Sequence, residues 1–407
     1  NNKPQQVSSD TLKAFKGAVS LTKVFHSVNK FCYIFGLPNY SKDNNINMPQ
    51  ILIRYNSLYV KFINALLIWF VGMECSSFFT QKDLSNKQYN DMLTLGLSHI
   101  IIFFEYINLY YKRREIRDII EDLTVTLKAV HHDREVEAAT LRQSRVYSAM
   151  FVVLCSSALV SYGLEAFVLA LTYLETEGTF TTVVTAWPDV SDGSPAAGAA
   201  RMLFYILWWI FMLRCMAFYL VVILPTIYLS DQYRNVQSYF TELVKIFEQE
   251  GASSETKQMQ YEDALKVGIQ LHMDTLRCTK KCQSSFKMVY SAQIIINIGT
   301  LALVMIRMMT SEHTLMNAVA TGIMGSAILT STGIFMWNLG DVTVEASKVS
   351  QAMYCSGWEN CVGTSSCRVR KLLRFGMITR KRLQNIFNPF EISEVDKKSL
   401  ISGCHTS

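Results

Sequence analysis

Six ionisable side chains stand inside otherwise apolar stretches of this sequence: Lys61, Glu74, His99, Glu105, Glu165 and Arg214. Catalysis would need acid, base or nucleophilic groups to converge at one depth. No nucleotide loop, paired-His zinc motif or Ser elbow accompanies them. Cys278 and Cys282 share a helical face at i,i+4, but no nearby His or Cys completes a metal set. No catalytic residue, metal site or cofactor is expected, and the chain does not read as an enzyme. A charge in hydrocarbon costs at least ~2.5–3.5 kcal/mol, so each of the six needs a reason to be there. Lys61 and Glu74 lie near the ends of their stretches and are expected to snorkel. Arg214 lies deeper and is expected to find a structural partner, Glu105 or a backbone carbonyl. His99 reads as a ligand contact or as a hydrogen-bonded interior histidine. Aromatic side chains crowd the same stretches, among them Phe103, Phe104, Tyr106, Tyr162, Phe167, Tyr173, Phe204, Tyr205, Trp208, Trp209 and Phe211. Together they suit a dry, mostly apolar cavity for a small volatile molecule.

The elements that carry these residues are six apolar segments: Leu58–Phe79, Met92–Tyr111, Val146–Leu174, Ala200–Leu229, Met288–Met309 and Ala318–Asn338. A hydrocarbon core of ~30 Å needs ~20 residues of helix, so each can span it. Half of the chain is hydrophobic, at 50%, and its mean hydropathy is +0.17. The apolar residues fall in runs, so one polytopic membrane domain is expected. Lys and Arg number 7 in residues 1–57, 8 in 112–145, 8 in 230–287 and 8 in 341–382. The alternate connections and their flanks offer Lys82, Lys87, Arg201 and Arg307. The positive-inside rule then places the N-terminus in the cytoplasm. The net charge of +6 is explained by topology and lipid headgroups, and no nucleic-acid partner is implied. No cleavable signal peptide is visible in the sequence given.

Residues 1–57 read as an amphipathic cytoplasmic segment, with Phe15, Val19, Phe25 and Phe31 among lysines, suited to a membrane surface. Spans one to four occupy 58–229. The outer loop within them, 175–200, carries Glu175, Glu177, Asp189 and Asp192 with several Gly and Pro, and reads as flexible and acidic. In 230–287 the stripes Val236, Phe240, Leu243, Phe247 and Leu265, Ile269, His272, Leu276 recur at helical spacing on either side of Gly251-Ala252-Ser253-Ser254. They predict two helices that prolong spans four and five, as Val342–Trp358 prolongs span six. Spans five and six occupy 288–338, and 339–388 is expected to form anchor helices. Apolar stripes on projecting helices must be buried, so a helical bundle beneath the membrane is expected.

The stretch Leu265-Lys266-Val267-Gly268-Ile269-Gln270-Leu271-His272, running on to Phe286 and Gln293, resembles the entry to the fifth helix of insect odorant receptors. Ser347 to Trp358, with Tyr354 and Trp358, resembles the Ser, Tyr and Trp block after that family's sixth helix. Arg370-Lys371-Leu372-Leu373 and Arg380-Lys381-Arg382 stand where the family has a basic helix. The resemblance extends over essentially the whole chain in span order. Two departures stand out. The family's Tyr-Cys pair at the end of the sixth span is replaced around Trp337-Asn338. Residues 389–407 match only the start of a seventh, pore-lining helix. The resemblance implies an all-α, seven-helix chemoreceptor-type channel subunit with a cytoplasmic N-terminus and a cytoplasmic anchor bundle. It implies a ligand-gated, non-selective cation channel in the plasma membrane, in an olfactory neuron dendrite. Four subunits, including a shared co-receptor, would surround one pore. The co-receptor carries a long insert before its fifth helix, and the 58 residues of 230–287 leave no room for it. The chain therefore resembles the odour-specific subunit.

Helix depth and residue type then nominate His99, Tyr162, Gly163, Phe167, Trp208, Phe211, Met212, Asn297 and Leu301 as ligand-binding. Gly163 would leave room beside the ligand or allow close helix packing. Asn297 could donate to an ester, aldehyde or hydroxyl oxygen. Tyr354 and Trp358 are assigned to the subunit interface, and Glu394, Lys397 and Lys398 to the pore entrance. The expected partners are a volatile odorant, the co-receptor in a heterotetramer, membrane lipid and permeating cations. The alternatives are a gustatory receptor channel, a G-protein-coupled receptor and a transporter. The charge pattern opposes a G-protein-coupled receptor, and Asn388-Pro389-Phe390-Glu391-Ile392 has Ile where that class needs Tyr. No internal repeat supports a transporter.

Overall fold

The computed structural model describes residues 20–40, 50–82, 84, 86–177, 187–189, 191–310 and 315–381. The described residues form helices and connections: α1 (Ser20–Ile34), α2 (Gln50–Thr80), α3 (Asn86–Tyr111), α4 (Arg113–Glu121), α5 (Arg134–Glu177), α6 (Pro195–Glu242), the single turn α7 (Lys245–Glu248), α8 (Ser254–Thr310), α9 (Leu315–Tyr354) and α10 (Gly363–Lys381). Five of them are long and apolar enough to cross a membrane: α2, α3, α5, α6 and α8. The sixth expected segment lies in α9, whose apolar run is diluted by Gly, Ser and Thr. The expected boundaries at 57, 229, 287 and 338 all fall inside continuous helices. Spans and their extensions are single rods.

The rods are arranged around α6. Its apolar stretch is 72% buried, against 24–44% for the other four. α9 packs most extensively on α6 and α5, and α3 packs on α8. Outward faces remain apolar, with Phe62, Val153, Ile295 and Ile298 exposed. Such a continuous apolar exterior suits hydrocarbon rather than water. Ser194 caps α6 by accepting from Ala197 N at 3.2 Å, with Pro195 in its first turn. Arg201 is buried, and one guanidinium nitrogen donates to the carbonyl of Asp192. The described part of the acidic loop is thus folded onto the start of α6.

At the opposite, Lys- and Arg-rich end, the expected stripes turn inward: Val236 and Phe240 on α6, Leu243 just after it, and Leu265, Ile269, His272 and Leu276 on α8 are buried, and Phe247 is half-buried against the same core. Gly268 makes the approach possible, because a β-carbon there would lie 2.7 Å from the rings of Phe240 and Tyr239. Tyr261 and Ser356 share a buried hydrogen bond of 2.7 Å, and Arg368 pairs with Glu262 at 3.0 Å. The first joins α8 to the turn after α9, and the second joins α8 to α10. Gly357, at φ +89°, supplies the left-handed residue of that turn. Burial pushes the Glu345 carboxyl up, but Lys348, Gln237 and Arg234 outweigh it and hold it below its ordinary range.

Two expectations change. The apolar face of α1, with Leu21, Phe25, Val28 and Cys32, is buried against protein rather than laid on a membrane surface. Tyr228 on α6 donates to the Leu21 carbonyl at 3.2 Å, and Leu21 N donates to Glu137 at 3.3 Å, so α1 is tied to α6 and α5. Arg214 does not meet Glu105. It donates to Asn64 Oδ1 at 2.6 Å and lies 4.2 Å above the Tyr106 ring, while Glu105 accepts from Tyr219 at 2.9 Å. Neighbouring positions on a helix point ~100° apart, so 105 and 106 face different partners.

The connection before α5 is held by a fully buried ion pair. Lys128 Nζ lies 2.5 Å from Asp231 Oδ2, and Thr140 donates to the other oxygen at 2.5 Å. Removing one partner strands a buried charge, typically at ~3–5 kcal/mol. Lys128→Met is therefore expected to lower the melting temperature of the purified protein sharply. Lys128→Met with Asp231→Leu should recover most of the loss. Equal melting of the single variant and the parent would contradict this role.

Candidate ligand cavity

Between α3, α5, α6, α8 and α9 the bundle leaves a cavity of about 190 Å³. Its wall is largely apolar, with Leu95, Ile102, Phe151, Leu159, Met212, Met216, Ile296, Met324 and Ile328. Polar atoms come from few places. Ser98 and Thr300 approach within 3.4 Å across the α3–α8 contact. On α8, Gln293 donates to Asn297 Oδ1 at 3.2 Å, and Asn297 donates to Thr332 on α9 at 2.6 Å. His99 is buried, and its Nδ1 lies 2.8 and 2.9 Å from the two oxygens of Glu74. Glu74 is only 2% exposed. It pairs inside the bundle instead of snorkelling, because α2 runs on to Thr80 and keeps it within the packed helix. Lys61, by contrast, is exposed.

Of the residues nominated from sequence, His99, Tyr162, Trp208, Met212 and Asn297 lie on this wall. Tyr162 also donates to Asp91 at 2.8 Å, which fixes its ring. The other four do not line it. A β-carbon at Gly163 would sit 2.3 Å from Trp209, so this glycine permits α5 and α6 to approach. Phe167 stacks on Tyr205 with centroids 6.2 Å apart. Phe211 turns toward Phe70 and His99, at 5.7 and 4.8 Å, and forms packing behind the wall. Leu301 is half-buried one position beyond Thr300, on a different face of α8. Tyr354 is 58% exposed, and Trp358 lies 5.9 Å from it under Arg370, at the basic end and far along α9 from the cavity residues Met324 to Ser331. Glu394, Lys397 and Lys398 lie outside the described residues.

Two wall residues that were not nominated, Gln293 and Thr300, had a readable signal together with the nominated Asn297. Gln293, Asn297 and Thr300 are spaced i, i+4, i+7, one polar stripe in an apolar helix. Cys155, Cys215 and Tyr219 carried no such mark. Among the described residues, no group of three His, Cys, Asp or Glu is placed to hold a metal ion. The cavity offers shape, apolar contact and a few oriented polar atoms, which is equipment for binding a small molecule.

Comparison with known proteins agrees with this architecture. Over residues 85–393 the chain matches the family model described as 7tm Odorant receptor. No curated protein matches it. Among solved structures it is similar to the insect olfactory receptor OR5 from Machilis hrabei, with a TM-score of 0.69, 11% identity and 90% of each chain covered. It is also similar to the same receptor in complex with eugenol, with a TM-score of 0.68, 13% identity and 90% of each chain covered. Identity this low establishes a shared fold, while the family model spans most of the chain. This all-helical, multi-pass membrane protein belongs to the 7tm odorant receptor family.

Proposed function

We propose that the chain is the odorant-binding subunit of a ligand-gated, non-selective cation channel, and the odour-specific subunit rather than the co-receptor. The observation that carries this reading is the mostly apolar cavity within the bundle of a 7tm odorant receptor. The related fold from Machilis hrabei is known in complex with eugenol, a small volatile, which supports a ligand of that size class. The short stretch 230–287 supports the odour-specific assignment. The volatile enters the cavity and binds the open state better than the closed one. Only that difference in affinity moves the gate. The basic end faces the cytoplasm, consistent with the Lys and Arg distribution. There Tyr354 and Trp358 meet neighbouring subunits, for which the exposure of Tyr354 leaves room. The channel is a heterotetramer with the co-receptor in the plasma membrane of olfactory dendrites.

Whole-cell recording with G-protein signalling blocked tests the reading. A rapid cation current during a volatile panel, present only when the co-receptor is co-expressed, is expected. Silence with the protein at the surface would remove the channel assignment. Met212→Ala reshapes the wall and should shift the half-maximal concentration of the best activator roughly tenfold or more. Phe167→Ala, off the wall, should leave it within about twofold, inside the range of indirect packing effects. Trp358→Ala should reduce the yield of tetramer on native gels while leaving the subunit folded. Unchanged tetramer would move Trp358 into the packing of its own subunit.

A further inference from the structure

Arg214 carries a charge that its surroundings do not neutralise. The residue is 3% exposed and sits in the middle of α6. Its Nη2 donates to the neutral amide of Asn64 at 2.6 Å, and its guanidinium carbon lies 4.2 Å above the Tyr106 ring. Nε and Nη1 are buried and have no hydrogen-bond partner among the described residues. The groups that act on the guanidinium electrostatically are tyrosines, Tyr106, Tyr40 and Tyr59. Glu105, beside Tyr106 on α3, is turned to Tyr219. A guanidinium stays protonated in proteins, so the charge cannot be shed. Buried charges are ordinarily paired, and an uncompensated one is among the costliest features a core can hold.

The same side chain lines a second, smaller cavity of about 10 Å³, with Leu67 of α2, Tyr106 of α3, and Phe211, Cys215 and Phe218 of its own helix. That is room for one particle about the size of a water molecule. Water needs acceptors for its two protons as well as a donor for its oxygen. The lining side chains hold one oxygen, that of Tyr106, which itself donates to Asn64 at 2.9 Å. A monatomic anion only accepts, and it brings the missing charge. Apolar walls keep the local dielectric low and so strengthen its attraction to the guanidinium. Sulfate and the phosphate of a lipid headgroup are too large for the space. We infer that Arg214 holds a single halide ion in this cavity, chloride in the cell, and that the ion ties α6 to α2 and α3. The site borders the larger cavity through Ile102 and Cys215, which line both, but its occupancy requires no volatile and no channel activity.

The test is thermal unfolding of the full chain in lipid nanodiscs, without a volatile, in sodium salts at equal ionic strength. Chloride and bromide should each raise Tm above its value in gluconate by about 2 °C or more, along a curve that saturates. An ion bound only by the folded state stabilises it by mass action in this way. General salt effects act through exclusion from the protein surface and favour sulfate. A response larger in sulfate than in chloride, or no response to chloride, would overturn the inference. Arg214→Gln keeps a polar side chain without the charge and should lose the difference between chloride and gluconate. Leu67→Phe fills the cavity with Arg214 in place and should lose it too, which keeps the inference falsifiable where Arg214→Gln does not fold. A halide response retained in either variant would overturn it. A crystal structure grown in bromide should show anomalous density in contact with the Arg214 guanidinium. A water molecule or an empty cavity at that position would overturn the inference.

Discussion

Polar side chains enclosed in an apolar bundle have to be paired, and the arrangement of this protein follows from how that is done. Arg214, in the middle of α6, is met by Asn64 from α2 and the Tyr106 ring from α3. Glu105 is met by Tyr219 of α6, and Glu74 by His99. Each pairing joins different helices, so each fixes the rotation of one helix against another. An unpaired partner would cost several kcal/mol, more than almost any single apolar contact returns. The pairs therefore specify which faces of α2, α3 and α6 meet, and apolar packing fills the space between them.

The long rods connect the two ends of the molecule. α5, α6, α8 and α9 wall the cavity and also run to the basic end, where Val236, Phe240, Leu265 and Leu276 continue the same buried core. Lys128 and Asp231 pin the connection before α5 to α6 between these regions. Tyr261 and Ser356 fasten α8 to the turn that leads into α10. A displacement of α8 or α9 at the cavity has a continuous helix along which to be transmitted. This is the physical basis for assigning ligand binding to one end and subunit contact to the other.

Much of the fold was readable because it rests on periodicity. The stripes of 230–287 are one-sided, and the structure buries them as that pattern requires. The break at Gly251 to Ser254 marks the start of α8, where Ser253 caps by accepting from Thr256 N at 3.2 Å. Helix rotation within the membrane-length stretches was less legible. α6 is apolar on every face because it is surrounded, so nothing in its pattern separates Trp208 and Met212, on the wall, from Phe211, behind it. The same uniformity hid the pairing of Glu74 with His99 and suggested Glu105 for Arg214. On α8 the polar stripe Gln293, Asn297 and Thr300 did point to the cavity, and only its middle member was nominated. Gly163 illustrates a further limit. A glycine signals proximity, but the neighbour proved to be Trp209 rather than a ligand.

The most direct measurement is an experimental structure of the assembled channel with an activating volatile that carries a bromine or iodine atom. The account predicts halogen density enclosed by α3, α5, α6, α8 and α9, within contact of His99, Trp208 or Met212. Density at the Phe167–Tyr205 stack, at the basic end or on the lipid-facing surface, with the cavity empty, would contradict it.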